Sequence, residues 1–555
     1  MISFDEDKSH KKVSDLLKKE EEDLAIILSQ KYGVEYLDLS RISIETDALR
    51  LLPEDESRRA KIAIFEITNR KLKVAVLSPE NDSAKSALDD LKRKGYELEI
   101  YMVSKASLER AWGRYKEISF ASETKAGVLD ISNEEIEVFL SKVHTLNDVV
   151  KLIEGVLHQN KSYRISRILE IVLSGALALG ASDVHVEPEE TDTRLRYRLD
   201  GVLTDILRFD KETFQLLLSR IKLLSRLKLN VKNLPQDGRF SIKVTNEEIE
   251  IRTSLLPGAY SESVVMRILN PKSIQVPMEE LGIPEKLFQI LDKEIKKPNG
   301  MLLTTGPTGS GKTTTLYAFL RRIHNPEIKI ITIEDPIEYH LKGTVQTQVD
   351  HKQYTFAGGL RSALRQDPDV IMVGEIRDAE TAEIAIQSAN TGHFVLSTLH
   401  TNSAAGAFPR LIDLDVNPKI ISSTVNLVLA QRLLRKLCKY CAKEIPATAE
   451  QKKIIDSIIS EIKDRPENLQ TEKIWQAVGC DKCSGLGYKG RIGIYEAIKM
   501  DDTIDKIINQ NPSESEIEKV SRVQGIMNLK EDGMVKVLQG VTTLDELIRV
   551  VDLEI

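Results

Sequence analysis

No uninterrupted apolar run in this sequence approaches membrane-spanning length. The nearest candidate, Ile168 to Leu179, is short and broken by Glu170, whereas a spanning helix takes about 20 apolar residues. The opening residues, MISFDEDKSHKK, carry no apolar core of a secretory signal. A cytoplasmic chain is therefore expected, with any membrane association made through a partner. Positive charge is not in excess either: 78 Lys and Arg stand against 85 Asp and Glu, for a formal net charge of -7. That balance removes the bulk electrostatic argument for nucleic acid or anionic lipid, and no direct nucleic-acid partner is expected. Cysteine is scarce. All 4 residues fall in two CxxC pairs, which is not how a secreted disulfide scaffold of this size would use them. Repeat arrays and low-complexity tracts are missing as well.

What remains is a chain of 555 residues with 41% hydrophobic and 29% charged side chains, enough for cores in three or four domains. Residues 1–120 mix signals: Asp23 to Tyr32 has helical spacing, and Lys71 to Leu77 alternates like a half-buried strand before the turn Ser78-Pro79. Residues 121–162 are polar and charged and read as a linker with helical patches such as Glu134 to Val143. Over 163–270 a helix from Ile165 to Ala178, another from Lys211 to Leu229 and the strand-like runs ASDVHVEP, RLRYRLDG, RFSIKV, EIEIRTSL and SVVMRIL predict an α+β domain. Over 271–555 apolar strands alternate with helices, which argues for a parallel α/β sheet, with a cysteine-bearing insertion at 437–490 and a helical tail from Ile504.

The strongest chemical signal is Gly306-Pro307-Thr308-Gly309-Ser310-Gly311-Lys312-Thr313, followed by Thr314. It fits GxxxxGK[ST], in which backbone N–H groups curl around phosphate oxygens, the lysine reaches the β and γ phosphates and the hydroxyl holds Mg²⁺. The apolar strand Met301 to Thr305 before it and a helix after it supply the required context, with a favourable dipole for phosphate. ATP with Mg²⁺ is the ligand this predicts.

A second signal is DPDVIMVGE, four apolar residues delivering Glu375 to the ligand-binding end of a parallel strand. There it could orient the attacking water, or merely cap the next helix. Between the two, ITIEDPIE ends another strand in Glu334, Asp335 and Glu338, acids that repel one another unless a cation such as Mg²⁺ sits among them. His393 and His400 bracket the strand of TGHFVLSTLHTN and are candidate sensors of the γ-phosphate.

In this order the motifs resemble the Walker A, Asp box, atypical Walker B ending in Gly374-Glu375, and His box of the secretion ATPase superfamily, the type II secretion and type IV pilus assembly ATPases. The resemblance runs from about Ile165 to the C-terminus. It implies a RecA-like P-loop NTPase domain preceded by an α+β, PAS-like domain, in a homo-hexameric ring. It implies too that arginines of the preceding domain complete the site, at Arg239, Arg252 and Arg267, where one arginine finger can be worth about 10³–10⁵ in rate. Members often carry further arginines just before LPQDGR, where this chain has Asn230-Val-Lys-Asn-Leu. Residues 1–120 resemble the family's N-terminal docking module through LLPEDESRRAKIAIF, without the Arg-Leu-Gly signature of its cyclic di-GMP motifs. The implied partner is a polytopic inner-membrane platform protein, with the enzyme peripheral to that membrane.

Cys438-x-x-Cys441 and Cys480-x-x-Cys483 can supply one tetrahedral Zn²⁺ with four thiolates. Two redox pairs or idle thiols are the alternatives. A tetracysteine subdomain also resembles the assembly and secretion members, whereas the retraction ATPases lack it. Two other functions fit the same core: a DNA translocase, which predicts a basic channel, and a regulator that binds nucleotide without hydrolysing it.

Overall fold

The structure, a computed structural model, describes residues 20–553 other than 43, 50, 69, 118–121, 125–127, 131–141, 158–160, 245–246, 272–274, 351–352 and 467–468. Of the helical patch expected at Glu134 to Val143, all but the last two residues lie outside the described residues. No helix among the described residues is long and apolar enough to cross a membrane.

Up to residue 117 a four-stranded sheet is built from Glu35–Tyr36, Glu97–Met102, Lys71–Val76 and Ile62–Thr68, in that order. Its alternating side chains feed two cores. Leu72, Val74 and Val76 pack with Leu88 and Leu91 of the helix Asp82–Arg93, and Ala63, Phe65 and Ala75 pack with Leu108 and Trp112 of the helix Lys105–Gly113. Residues 20–32 are helical, as the spacing from Asp23 predicts.

The second sheet runs Ser122–Thr124, Val128–Asp130, Gln236–Val244, Glu247–Pro257, Glu262–Leu269, Asp183–Pro188, Thr193–Leu199 and Val202–Phe209. Its first two strands come from the segment read as linker. Strands this short show no periodicity of their own, and Val128–Asp130 is held by parallel pairing to Ser241–Lys243. The period of two gives the sheet unlike faces. Leu195, Tyr197 and Leu199 are buried with Val149, Ile168, Phe214 and Leu217 of three covering helices, while Arg194, Arg196 and Arg198 point the other way. The helix predicted to reach Leu229 stops at Leu224. Arg226 takes φ 58°, and Leu227 N–H donates to Lys222 O at 2.8 Å, a Schellman end that apolar spacing alone does not reveal.

The third sheet has the order Thr344–Gln348, Ile330–Glu334, Val370–Val373, Phe394–Leu399, Gly300–Thr305, Val425–Leu437 and Tyr488–Lys499. Pairings are parallel except the last. Met301 and Leu303 face one apolar layer and Leu302 the other, so helices cover both faces. The cysteine segment grows from the open end of the antiparallel pair 425–437/488–499 and carries the helix Ala449–Glu461 and a small sheet, Lys443–Pro446 with Lys473–Gln476. Four short α-helices and one 3-10 turn follow from Asp502 among the described residues.

Candidate active site

Gly300–Thr305 is buried throughout and hands the chain to the phosphate loop, which turns into the helix Lys312–Ile323. Gly306 and Gly311 adopt φ 145° and 93°. A Cβ at Gly306 would lie 2.7 Å from both Gln431 O and Ser310 Oγ, so only glycine lets the loop pack on the neighbouring strand. From that strand Gln431 Nε2 donates to Ser310 O at 2.7 Å and braces the loop from below. Pro307, Thr308 and Gly309 form an exposed crest, and Thr313 opens the helix with an exposed side chain beside Thr314. Lys312 Nζ donates to Gly306 O at 2.7 Å and Pro307 O at 3.2 Å. Burial lowers its pKa to about 8; Glu375 opposes that shift and Arg432 adds to it.

Glu375 follows Val370–Val373 and keeps only 12% of its side chain exposed. Arg377 Nη2 lies 2.5 Å from its Oε1, and His400 Nε2 3.2 Å from its Oε2. It does not cap the next helix; Asp378 does, accepting from Thr381 N–H. His400 sits at the C-terminal end of Phe394–Leu399, and Thr401 N–H donates to Thr305 Oγ1 at 3.0 Å, tying its loop to the base of the phosphate loop.

His393 is elsewhere. It precedes that six-residue strand, with Nδ1 3.0 Å from Ser388 O, so it lies at the opposite end of the parallel strands, about 20 Å away along the strand. The three acids of ITIEDPIE have different partners, although Glu334 and Glu338 are near enough for the charge of Glu334 to raise the pKa of Glu338. Glu334 is buried and accepts from Tyr317 Oη, Thr332 Oγ1 and, at 3.0 Å, Gln346 Nε2. Asp335 bears electrostatically on Arg377. Glu338 faces the preceding domain: burial pushes its carboxyl above the ordinary value while Arg252 and Arg267 pull it down.

Arg239, Arg252 and Arg267 come together through register. Arg239 pairs with Arg252, and Arg252 with Arg267, across three adjacent strands, so the three form one row. Arg252 Nη2 donates to Ile337 O of the acidic loop at 3.4 Å. Sequence reasoning missed Arg377, Arg432 and Gln431. Arg377 stands two residues beyond Glu375 and could have been flagged by adjacency. Arg432, which donates to Asn402 O at 2.7 Å and reaches the flank of Gly306, carries no local signal.

The donor sets fit the groups they imply. At the phosphate loop Ser310 Oγ is buried with no hydrogen-bond partner among the described residues, beside two cations, Lys312 and Arg432. That is a cradle for a polyphosphate with Mg²⁺. The four cysteine sulfurs lie within 4.8 Å of one another, with Cys438–Cys480, Cys441–Cys483 and Cys480–Cys483 at 3.9, 3.8 and 3.8 Å. Four sulfurs around one Zn²⁺ at about 2.3 Å would sit about 3.8 Å apart. Burial opposes ionisation of Cys483, but the amides of Cys480 and Gly487, each 3.2 Å from its sulfur, bring it down to about 7.

A phosphate loop between a buried parallel strand and a helix, with a carboxylate ending a strand two places away in the same sheet, defines a nucleotide-hydrolysing domain of the RecA-like α/β class. Within that class, residues 158–549 match the Type II/IV secretion system protein family, and the chain belongs to it. Residues 32–121 match the MshEN domain. The type II secretion system protein E of Pseudomonas aeruginosa is 46% identical over 406 residues, 73% of this chain and 79% of the relative. That of Dickeya dadantii is 40% identical over 510 residues, 91% and 98% of the two chains. The type IV pilus assembly ATPase PilB of Myxococcus xanthus is 36% identical over 532 residues, 95% and 91%. The protein is an ATPase of a secretion or pilus-assembly machine.

Proposed function

We propose that this ATPase works as a hexameric motor whose domain closure around Mg-ATP drives a polytopic inner-membrane platform protein. The backbone of 306–311 with Lys312 and Thr314 binds the phosphates, and Thr313 would hold Mg²⁺, which would supply neutralisation of the polyphosphate charge. Glu375 orients the attacking water. The water oxygen bonds to the γ-phosphorus, and the bond to the β–γ bridging oxygen breaks with its electron pair leaving on ADP. The water proton passes to Glu375 and then to the products. His400 reads the γ-phosphate from its contact with Glu375, whereas His393, at the far end of the same strand, takes no part in that contact. Asp335 and Glu338 set the electrostatics of the acidic loop through Arg377, Arg252 and Arg267; Glu334 holds the loop from inside. The domain carrying the arginine row is read as PAS-like, and the four cysteines as one structural zinc site.

The observation that carries this reading is the placement of Glu375: nearly buried, at the ligand-binding end of its strand, and close enough to Lys312 to oppose the burial-driven lowering of that residue's pKa. The test is steady-state Mg-ATP hydrolysis at rising protein concentration, with and without DNA, beside Glu375→Gln and Arg252→Ala. Specific activity should rise with concentration, ignore DNA and collapse in both variants, by about 10² or more. Stimulation by DNA would favour a translocase. Bound nucleotide without turnover in any state would leave a regulator.

A further inference from the structure

The strand Asp183–Pro188 carries a buried carboxylate that hydrolysis as described does not use. Asp183 keeps 5% of its side chain exposed. It continues the arginine row, since Arg267 pairs with Asp183 and Asp183 with Arg198 on successive strands. Arg267 Nε donates to its Oδ1 at 2.9 Å, Arg198 Nε lies 3.3 Å from its Oδ2, and Ser182 Oγ donates to the same oxygen at 2.8 Å. Two strands away Glu250 repeats the arrangement. Its Oε1 accepts from Arg252 Nε at 2.9 Å, and its Oε2 lies 3.6 Å from Arg239 Nη1.

Arg267 and Arg252 are thus gripped the same way, by Nε, so the two terminal nitrogens of each fork lie outside the grip. The direction they take is visible at Arg252, whose Nη2 reaches Ile337 O of the ATPase domain. Arg267 is 60% exposed and bears, with Arg252, on Glu338 of the same loop. A long, flexible guanidinium left free would have to be ordered each time the γ-phosphate is engaged, whereas one already held at its inner nitrogen presents a fixed pair of donors.

We propose that Asp183 is the positioning residue for Arg267, and Glu250 for Arg252, each carboxylate holding its arginine by Nε so that the terminal nitrogens face the nucleotide. Neither carboxylate touches substrate; each acts through its arginine. The proposal rests on the assignment of Arg267 and Arg252 to the hydrolytic site made above. It gives the ASDVHVEP strand a chemical task that its alternation alone does not show.

The test is a double-mutant cycle on the full-length chain with Asp183→Asn, Arg267→Ala and the pair together. Mg-ATP turnover is read beside the affinity for a fluorescent ATP analogue and thermal melting. Asp183→Asn should lower kcat by about tenfold or more, with KM and analogue affinity within about threefold of wild type. Added to Arg267→Ala, it should cost no more than about a further twofold, because the group it positions is already gone. Glu250→Gln with Arg252→Ala forms the same cycle at a half-buried site, should Asp183→Asn fail to fold. Losses that multiply in the double variant, or Asp183→Asn turnover at the wild-type rate while Arg267→Ala is defective, would overturn the positioning role alone. Wild-type turnover in Arg267→Ala would remove the arginine assignment itself and the positioning role with it.

Discussion

At the scale of single residues the site is poised by burial and by neighbouring charge. Lys312 is brought to about 8 chiefly by desolvation, with Arg432 pushing the same way and Glu375 against. A polyphosphate binds the protonated ammonium, so binding holds the proton on Lys312 and takes up protons as pH rises through that value. Nucleotide affinity should therefore fall between about pH 7 and 9.5, with proton uptake visible by calorimetry in buffers of different ionisation heat. Arg432→Ala removes one depressing charge and should move the midpoint upward; an affinity flat across the range would refute the linkage. The phosphate loop and Glu375 were legible because their chemistry is local: a glycine loop needs its spacing, and an acid needs only the end of an apolar run. His393 and His400 looked alike in one dimension. Strand direction separates them, since only the C-terminal end of Phe394–Leu399 meets the phosphate loop.

At the scale of elements, the cysteine hairpin is where short spacing and long spacing part. Each CxxC turn was visible. The 38 residues between the pairs were not, because the helix Ala449–Glu461 and the small sheet gain stability by packing Ile455, Ile459 and Ile474 against Leu434, Met534 and Val537, which are distant in sequence. One zinc per chain should appear in metal analysis of purified protein. Cys480→Ser, or a strong chelator, should release it and expose the stretch between Lys443 and Cys480 to limited proteolysis, since a structural zinc site contributes folding energy directly. A metal-free preparation with full protection of that stretch would argue for idle thiols. The helix ending at Leu224 and the strands at 122–130 teach the same lesson: apolar periodicity predicts that an element exists, whereas its end is set by an αL residue or by a partner strand.

At the scale of the molecule, polar contacts join the sheet domain to the ATPase domain at two places among the described residues, and Leu486 packs on the sheet domain's core. Arg252 reaches Ile337 O, and the turn after Leu199 docks through Asp200, which accepts from Gly490 N–H at 2.8 Å and lies 3.8 Å from Arg491. Asp200→Ala should cost about 1 kcal/mol in denaturant unfolding and speed proteolysis of the turn. No change in either would mean that the domains are held by other contacts. The sequence by itself determined the phosphate loop, the acid beyond its strand, the alternation of a parallel α/β domain and the two thiol pairs. Each of these is a demand that covalent neighbours make on one another through backbone dihedrals and side-chain period. Only the tertiary structure decided that Arg239, Arg252 and Arg267 form one row, that Asp183 and Glu250 grip it, and that Arg432 flanks the phosphate loop. Those groups are brought together by strand register and sheet order, which depend on burying whole faces and leave no trace in any local stretch of chain.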